Sequence, residues 1–164
     1  MLSIRSLSVA DFQAVVRINV QGLPGVAALD EPELARLMAM PNHHLVVENV
    51  STVIVGYALV LDHDAPYDGE EFQAFKRKMA KPFIYIDQVA TLREARRTGI
   101  GAATYEAIKN KAKLSGTLLL CCEVNINPPN NESLAFHQNQ GFSQLESMAT
   151  EDGRVVALLI KDVN

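Results

Sequence analysis

Residues 83–124 constrain the fold more than any other stretch, because an apolar run, a glycine-bearing turn, an amphipathic segment and a second apolar run follow one another there. Residues 83–91 and 117–124 are short and rich in Val, Ile, Leu and aromatic side chains, as buried strands are. Between them, 99–114 reads as a helix with Ile100, Ala103, Ala107 and Leu114 on its apolar side. Strand, helix and strand of these lengths form a βαβ unit, whose strands are parallel and whose crossover is right-handed.

The remaining segments build around that unit. Residues 2–7 read as a first strand, and Ser8 to Asp11 has capping-box spacing, with the Ser8 hydroxyl available to an orphan amide of the helix carrying Phe12, Val15 and Val16. A second helix is expected over 31–40, then an antiparallel hairpin of 44–49 and 52–61. Residues 62–82 interrupt the pattern as an insertion, with Phe72, Phe75 and Met79 at helical spacing; this stripe either packs on the core or faces a substrate. After Asn127-Pro128-Pro129-Asn130 comes a helix ending at Gly141, then a hairpin of 142–149 and 154–161. The order predicts one α/β domain over 1–164, a mixed sheet with helices on its faces.

Composition narrows the functional classes. With 164 residues and a net charge of −4, the chain suits a self-sufficient domain and gives no support to a nucleic-acid face. No run approaches a membrane span, and the N-terminus has no signal-peptide pattern, so a cytoplasmic location is expected. Cys121 and Cys122 are neighbours in a strand, point to opposite faces and are not expected to pair. His43 and His44 lack a third ligand at metal spacing, and no metal is expected.

Arg96-Arg97-Thr98-Gly99-Ile100-Gly101 opens the central helix in the form R-x-x-G-x-G. Glycines let main-chain amides approach an anion, a helix start adds unpaired N–H groups, and arginines add charge-assisted bonds to phosphate oxygens. Taken alone, the hexapeptide fits a phosphate cradle and a plain tight turn equally well. The dinucleotide-binding fingerprint lacks its third glycine here, and the P-loop pattern is absent.

The longer segment YIDQVATLREARRTGIG (85–101) resembles the strand-loop-helix of the GNAT acetyltransferase superfamily, and NNESLAFHQNQGF (130–142) resembles that family's second block, N-x-x-[SA]-x-x-F-[YH]-x-x-x-G-F. The resemblance implies a mostly antiparallel sheet of about seven strands, splayed at two central parallel strands, and acetyl-CoA as co-substrate. It places the main chain of Val89, Ala90 and Thr91 beside the pantetheine arm, although valine is commoner where Thr91 stands. It gives the pyrophosphate to Arg96 and to the amides of Arg97, Thr98, Gly99, Ile100, Gly101 and Ala102. It sets Asn130, Ser133 and Phe136 along the pantetheine and adenine.

The same resemblance supplies the chemistry. His137 stands where the family most often has a tyrosine that protonates the departing thiolate, and Asp87 stands where relatives carry a carboxylate base. Asp87 could equally bind the ammonium of the acceptor, and each residue also has a plain structural reading. Glu123 and Asn125 could reach the acceptor or serve the sheet, and acidic residues such as Asp62, Asp64, Asp68, Glu70 and Glu71 could attract a cationic amine. The reaction implied is direct acetyl transfer to a primary amine, on a small molecule or a protein N-terminus; family habit adds a homodimer. A non-catalytic acyl-CoA-binding module is the alternative.

Overall fold

The computed structural model describes residues 1–164. In chain order it contains β1 Ser3–Ser6, α1 Phe12–Gly22, α2 Glu31–Met38, β2 Leu45–Glu48, β3 Ile54–Asp62, α3 Glu70–Lys78, β4 Ile84–Thr91, α4 Ile100–Ser115, β5 Leu119–Asn127, α5 Asn131–Asn139, β6 Ser143–Ala149 and β7 Val155–Asp162. The seven strands form one sheet in the order β1-β2-β3-β4-β5-β7-β6. All neighbours are antiparallel except β4 and β5, the strands of the βαβ unit.

Alternation along the strands divides the core between two faces. Tyr57, Tyr85 and Cys121 join Val15, Ile18, Leu34, Leu37, Phe72 and Phe75 beneath α1, α2 and α3. Ile84, Leu120 and Cys122 join Tyr105, Ile108, Ala112 and Phe142 beneath α4 and α5. The adjacent cysteines thus enter opposite layers, and both stay free.

Two local expectations change. The buried stripe of α4 is Ile100, Thr104, Tyr105, Ile108 and Ala112, and Leu114 is 89 % exposed. A helix drifts about 20° per seven residues against a strict heptad, so two heptads carry position 114 off the stripe that starts at 100. At the first helix start, the Ser8 hydroxyl donates to Asp11 Oδ2 (3.1 Å), as does the Ser8 amide (2.8 Å), so the carboxylate does the capping. Arg5 holds the same carboxylate from the other side at 2.8 Å.

Of the two readings of the insertion stripe, packing applies to Phe72 and Phe75, which are fully buried against Phe83 and Tyr85. Arg154 beside Glu71 (3.3 Å) ties α3 to the β6–β7 hairpin.

Candidate active site

The site begins where the sheet opens. β4 and β5 pair only at Ile84↔Leu120 and Tyr85↔Cys121, although β4 runs on to Thr91 and β5 to Asn127. Beyond Tyr85 the β5-facing edge of β4 has no strand partner, and its main-chain groups are left to a ligand or water. The other edge stays paired with β3 as far as Gly56↔Thr91, with one irregularity: Leu59 faces Gln88 and Val60 faces Ile86. Asp87 is therefore the extra residue of a β-bulge, a feature that re-aims side chains.

A groove of about 470 Å³ runs from this free edge to the start of α4. It brings together Val89, Ala90, Thr91, Arg96, Arg97, Gly99, Ile100, Gly101 and Ala102 with Asn130, Ser133 and Phe136 of the second block. Thr98 stands apart from that lining, its hydroxyl turned to the Ala95 carbonyl. The amides of Arg97 through Ala102 have no acceptor within the protein. Gly99 takes φ +84° at the N-cap of α4, and Arg97 holds φ +61°, a left-handed backbone that is costly outside glycine and typical of ligand clamps. Left-handed turns of this kind aim successive N–H groups at one point and form an anion-binding concavity. A Cβ on Gly101 would lie 3.3 Å from the Phe136 ring, so glycine there lets the two blocks close on each other.

On the other face of β4 lies a half-buried acidic cluster. Tyr67 donates to Asp87 Oδ1 at 3.2 Å, and Tyr85 reaches both oxygens of Glu123 at 2.9 and 2.7 Å. Burial pushes the Asp87 carboxyl up to about 6, with Glu71 and Glu33 adding to the rise. Burial, then Glu71 and Asp87, holds Glu123 well above the usual carboxylate range. Asn125 accepts from Arg154 at 2.9 Å and so serves the framework of the cluster.

His137 is placed behind the groove wall. It is 7 % exposed, packed between Phe136 and Phe142, and absent from the groove lining. Its Nδ1 donates to the Ser133 carbonyl (2.7 Å), which leaves Nε2 as an acceptor, and the Tyr105 hydroxyl donates to it at 2.6 Å. Burial lowers the imidazole pKa and so favours the neutral ring. It is Tyr105 that reaches the groove.

The family model described as the acetyltransferase (GNAT) family matches residues 12–142. The chain belongs to the GNAT acetyltransferase family. Solved structures agree in fold. Ard1 from Thermoplasma volcanium superposes with a TM-score of 0.80 at 19% identity, over 99% of this chain and 98% of that one. The ribosomal-protein-S18-alanine N-acetyltransferase from Escherichia coli gives 0.75 at 16% identity, over 100% and 95%. YncA from Salmonella typhimurium, solved with its cofactor acetyl-CoA, gives 0.70 at 17% identity, over 100% and 95%. No curated protein matches the sequence significantly.

Several parts of this GNAT site escaped the sequence reading. Gly22 at the end of α1 and Gly25 and Val26 of the α1–α2 connection complete the groove. That connection is pinned by a buried polar cluster in which Asn19 and Gln88 donate to the Ala27 carbonyl (2.9 and 3.0 Å) and Tyr57 donates to Gln88 (2.8 Å). Asn19 and Gln88 are the only sign of it in sequence, as amides within otherwise apolar patterns. Tyr67 carries no such sign, lying in a loop whose path local residues do not fix.

Proposed function

We propose that this GNAT protein moves an acetyl group from acetyl-CoA directly to a primary amine. The observation that carries this reading is the continuity of the unpaired β4 edge with the six free amides at the start of α4, since one groove offers amide partners and an anion cradle in line. The orphaned amides, the left-handed turn and the glycine close to Phe136 fit a pyrophosphate and its pantetheine arm. Arg96, already near the Thr91 and Gln21 carbonyls (3.4 and 3.3 Å), and Arg97, 3.6 Å from Glu132, would add charge to that hold. Bound there, acetyl-CoA supplies an activated acetyl group on a thiol that leaves readily.

Asp87 is proposed to take the proton from the acceptor amine. A carboxyl at about 6 is ionised at pH 7 yet basic enough to assist, typically by about 10²–10⁴-fold. His137 is proposed to act through Tyr105 as a positioning residue, because both of its ring nitrogens are engaged within the protein. This revises the expectation that His137 protonates the thiolate. A thiolate is a weaker base than an amine and can take its proton from water once released, so little is lost without a dedicated acid. No cysteine lines the groove, and burial pushes both thiols up, which favours direct attack over an acyl-enzyme.

The acceptor classes are a small amine or a protein N-terminus; the Escherichia coli neighbour, an alanine N-acetyltransferase for a ribosomal protein, supports the second. The test is calorimetry with CoA and acetyl-CoA, followed by thiol release over a panel of small amines and N-terminal peptides. Micromolar CoA binding and acceptor-dependent release that Asp87→Asn abolishes are expected. Binding with no release across the panel would make the chain an acyl-CoA-binding module, and no CoA binding would end the reading.

A further inference from the structure

We propose that Tyr67, carried by the 62–82 insertion, is a positioning residue of the acceptor site: its hydroxyl holds one oxygen of Asp87 and leaves the other for the acceptor amine. The inference rests on Asp87 being the base of the transfer.

Tyr67 lies in a loop, yet it is held on every side. Its ring packs edge-on to Phe72 (5.7 Å between centroids) and lies beside Tyr85 (6.3 Å), while the Arg36 guanidinium of α2 covers it at 5.8 Å. Gln73 donates to its carbonyl at 2.6 Å. A Cβ on Gly69 would stand 2.3 Å from the Tyr67 ring, so this path of the loop requires glycine there. Phe72 and Phe75 anchor the following helix in the core, and Glu71 meets Arg154 at 3.3 Å. These contacts deliver a single polar group, the Tyr67 hydroxyl, to a single target, Asp87 Oδ1, at 3.2 Å.

The surroundings of Asp87 explain what that hydroxyl does. Tyr57 on β3, Tyr85 on β4, Glu33 on α2, Glu71 on α3 and Glu123 on β5 all interact with it or with its immediate neighbours, and none is a cation. The two nearby cations are already engaged: Arg154 is shared among Asn125, Glu71 and Asp152, and Arg36, which covers the Tyr67 ring, pairs with Glu33 and Asp68. Burial and like charge both favour the protonated acid. Tyr67 is a neutral donor, favours the ionised form, and so keeps Asp87 available as a base at neutral pH.

The test uses the full chain with selectively ¹³C-labelled aspartate, the Asp87 carboxyl signal being identified by its loss in Asp87→Asn. In Tyr67→Phe, which keeps the ring and its packing, the Asp87 midpoint is expected to rise by about 0.5–1 pH unit. In Glu71→Gln, which removes a like charge and frees Arg154, it is expected to fall. The acid limb of kcat/KM for the best acceptor of the panel should move in the same two directions, which general loosening of the fold would not produce. An unmoved or lowered midpoint in folded Tyr67→Phe overturns the inference and leaves the proposed function standing. A kcat/KM limb that fails to follow the NMR midpoint overturns it too. If Asp87→Asn retains full transfer, Asp87 is not the base, and the inference falls together with that reading.

Discussion

Replacing His137 by Phe separates a supporting histidine from a chemical one. The ring accepts from Tyr105 at 2.6 Å and donates to the Ser133 carbonyl at 2.7 Å, with His137 and Tyr105 each 7 % exposed. Removing the imidazole leaves the buried Tyr105 hydroxyl without its partner, at a cost of about 1–3 kcal/mol. Tyr105→Phe strands Nε2 instead and should cost a similar amount. The double replacement removes both polar groups, so the cycle should show about 1–2 kcal/mol of favourable coupling. Each kilocalorie corresponds to roughly 2–4 °C in Tm for a chain of this size. Urea unfolding of the four proteins at pH 7.5 measures the cycle, and CoA release over a range of acceptor concentrations measures the chemistry. The expected kcat/KM of His137→Phe is within about threefold of the parent, because no proton of the ring points at the groove. A fall of 10²-fold or more with unchanged CoA affinity and unchanged Tm would refute this reasoning and restore His137 as the proton donor.

Four further outcomes are expected. The folded pKa of Asp87 lies above its unfolded value, so the folded state binds the extra proton and stability from this group falls as pH rises from about 4 to about 6. Asp87→Asn should therefore stabilise the protein at pH 7, by about 1–2 kcal/mol once partial exposure is allowed for, while removing transfer activity; urea unfolding and CoA release read the two effects. His44 has the opposite sign: burial lowers it to about 4, so its contribution is present above about 6.5 and lost as pH falls towards 4, and the acid limb of thermal stability should flatten in His44→Gln. Arg96→Ala should weaken CoA binding about tenfold in calorimetry, with a weaker salt dependence. Gly101→Ala should also weaken CoA binding, with little change in Tm, because its Cβ would press on Phe136 from inside the groove.

The sequence was most legible where physics is local. The βαβ unit, the hairpins and the glycine-broken start of α4 each follow from periodicity, turn residues and the lack of a Cβ, and all stand within a few residues of their expected limits. What local patterns do not encode is which strands meet. The insertion of β7 between β5 and β6 depends on long-range pairing, so the hairpin was visible and its placement was not. Residue types at the second block were equally visible, but the direction of the His137 ring depends on Tyr105, which lies 32 residues away on another helix. Tyr67 shows the same limit, since its proposed role arises from Arg36 on α2, Gly69 and Phe72 at the start of α3, and Asp87 on β4, three segments that meet only in the fold.

The bulge at Asp87 links the two halves of the site. In a regular strand, Asp87 and Gln88 would point to opposite faces of the sheet. The extra residue lets both serve the same layer: Gln88 donates to Ala27 and fixes the connection that walls the groove, while Asp87 turns to Tyr67 and the acidic cluster. The strand then returns to its pairing with β3 at Val89 and Ala90, where its opposite edge faces the opening towards β5. Within four residues, β4 thus changes from a core strand, to a support for the α1–α2 connection, to a ladder with one free edge. Removing the bulge by deleting one residue would put either the amide or the carboxylate on the α4 side. The groove would lose its wall or the acceptor its proposed base, so the bulge ties the proposed cofactor and acceptor sites to one strand.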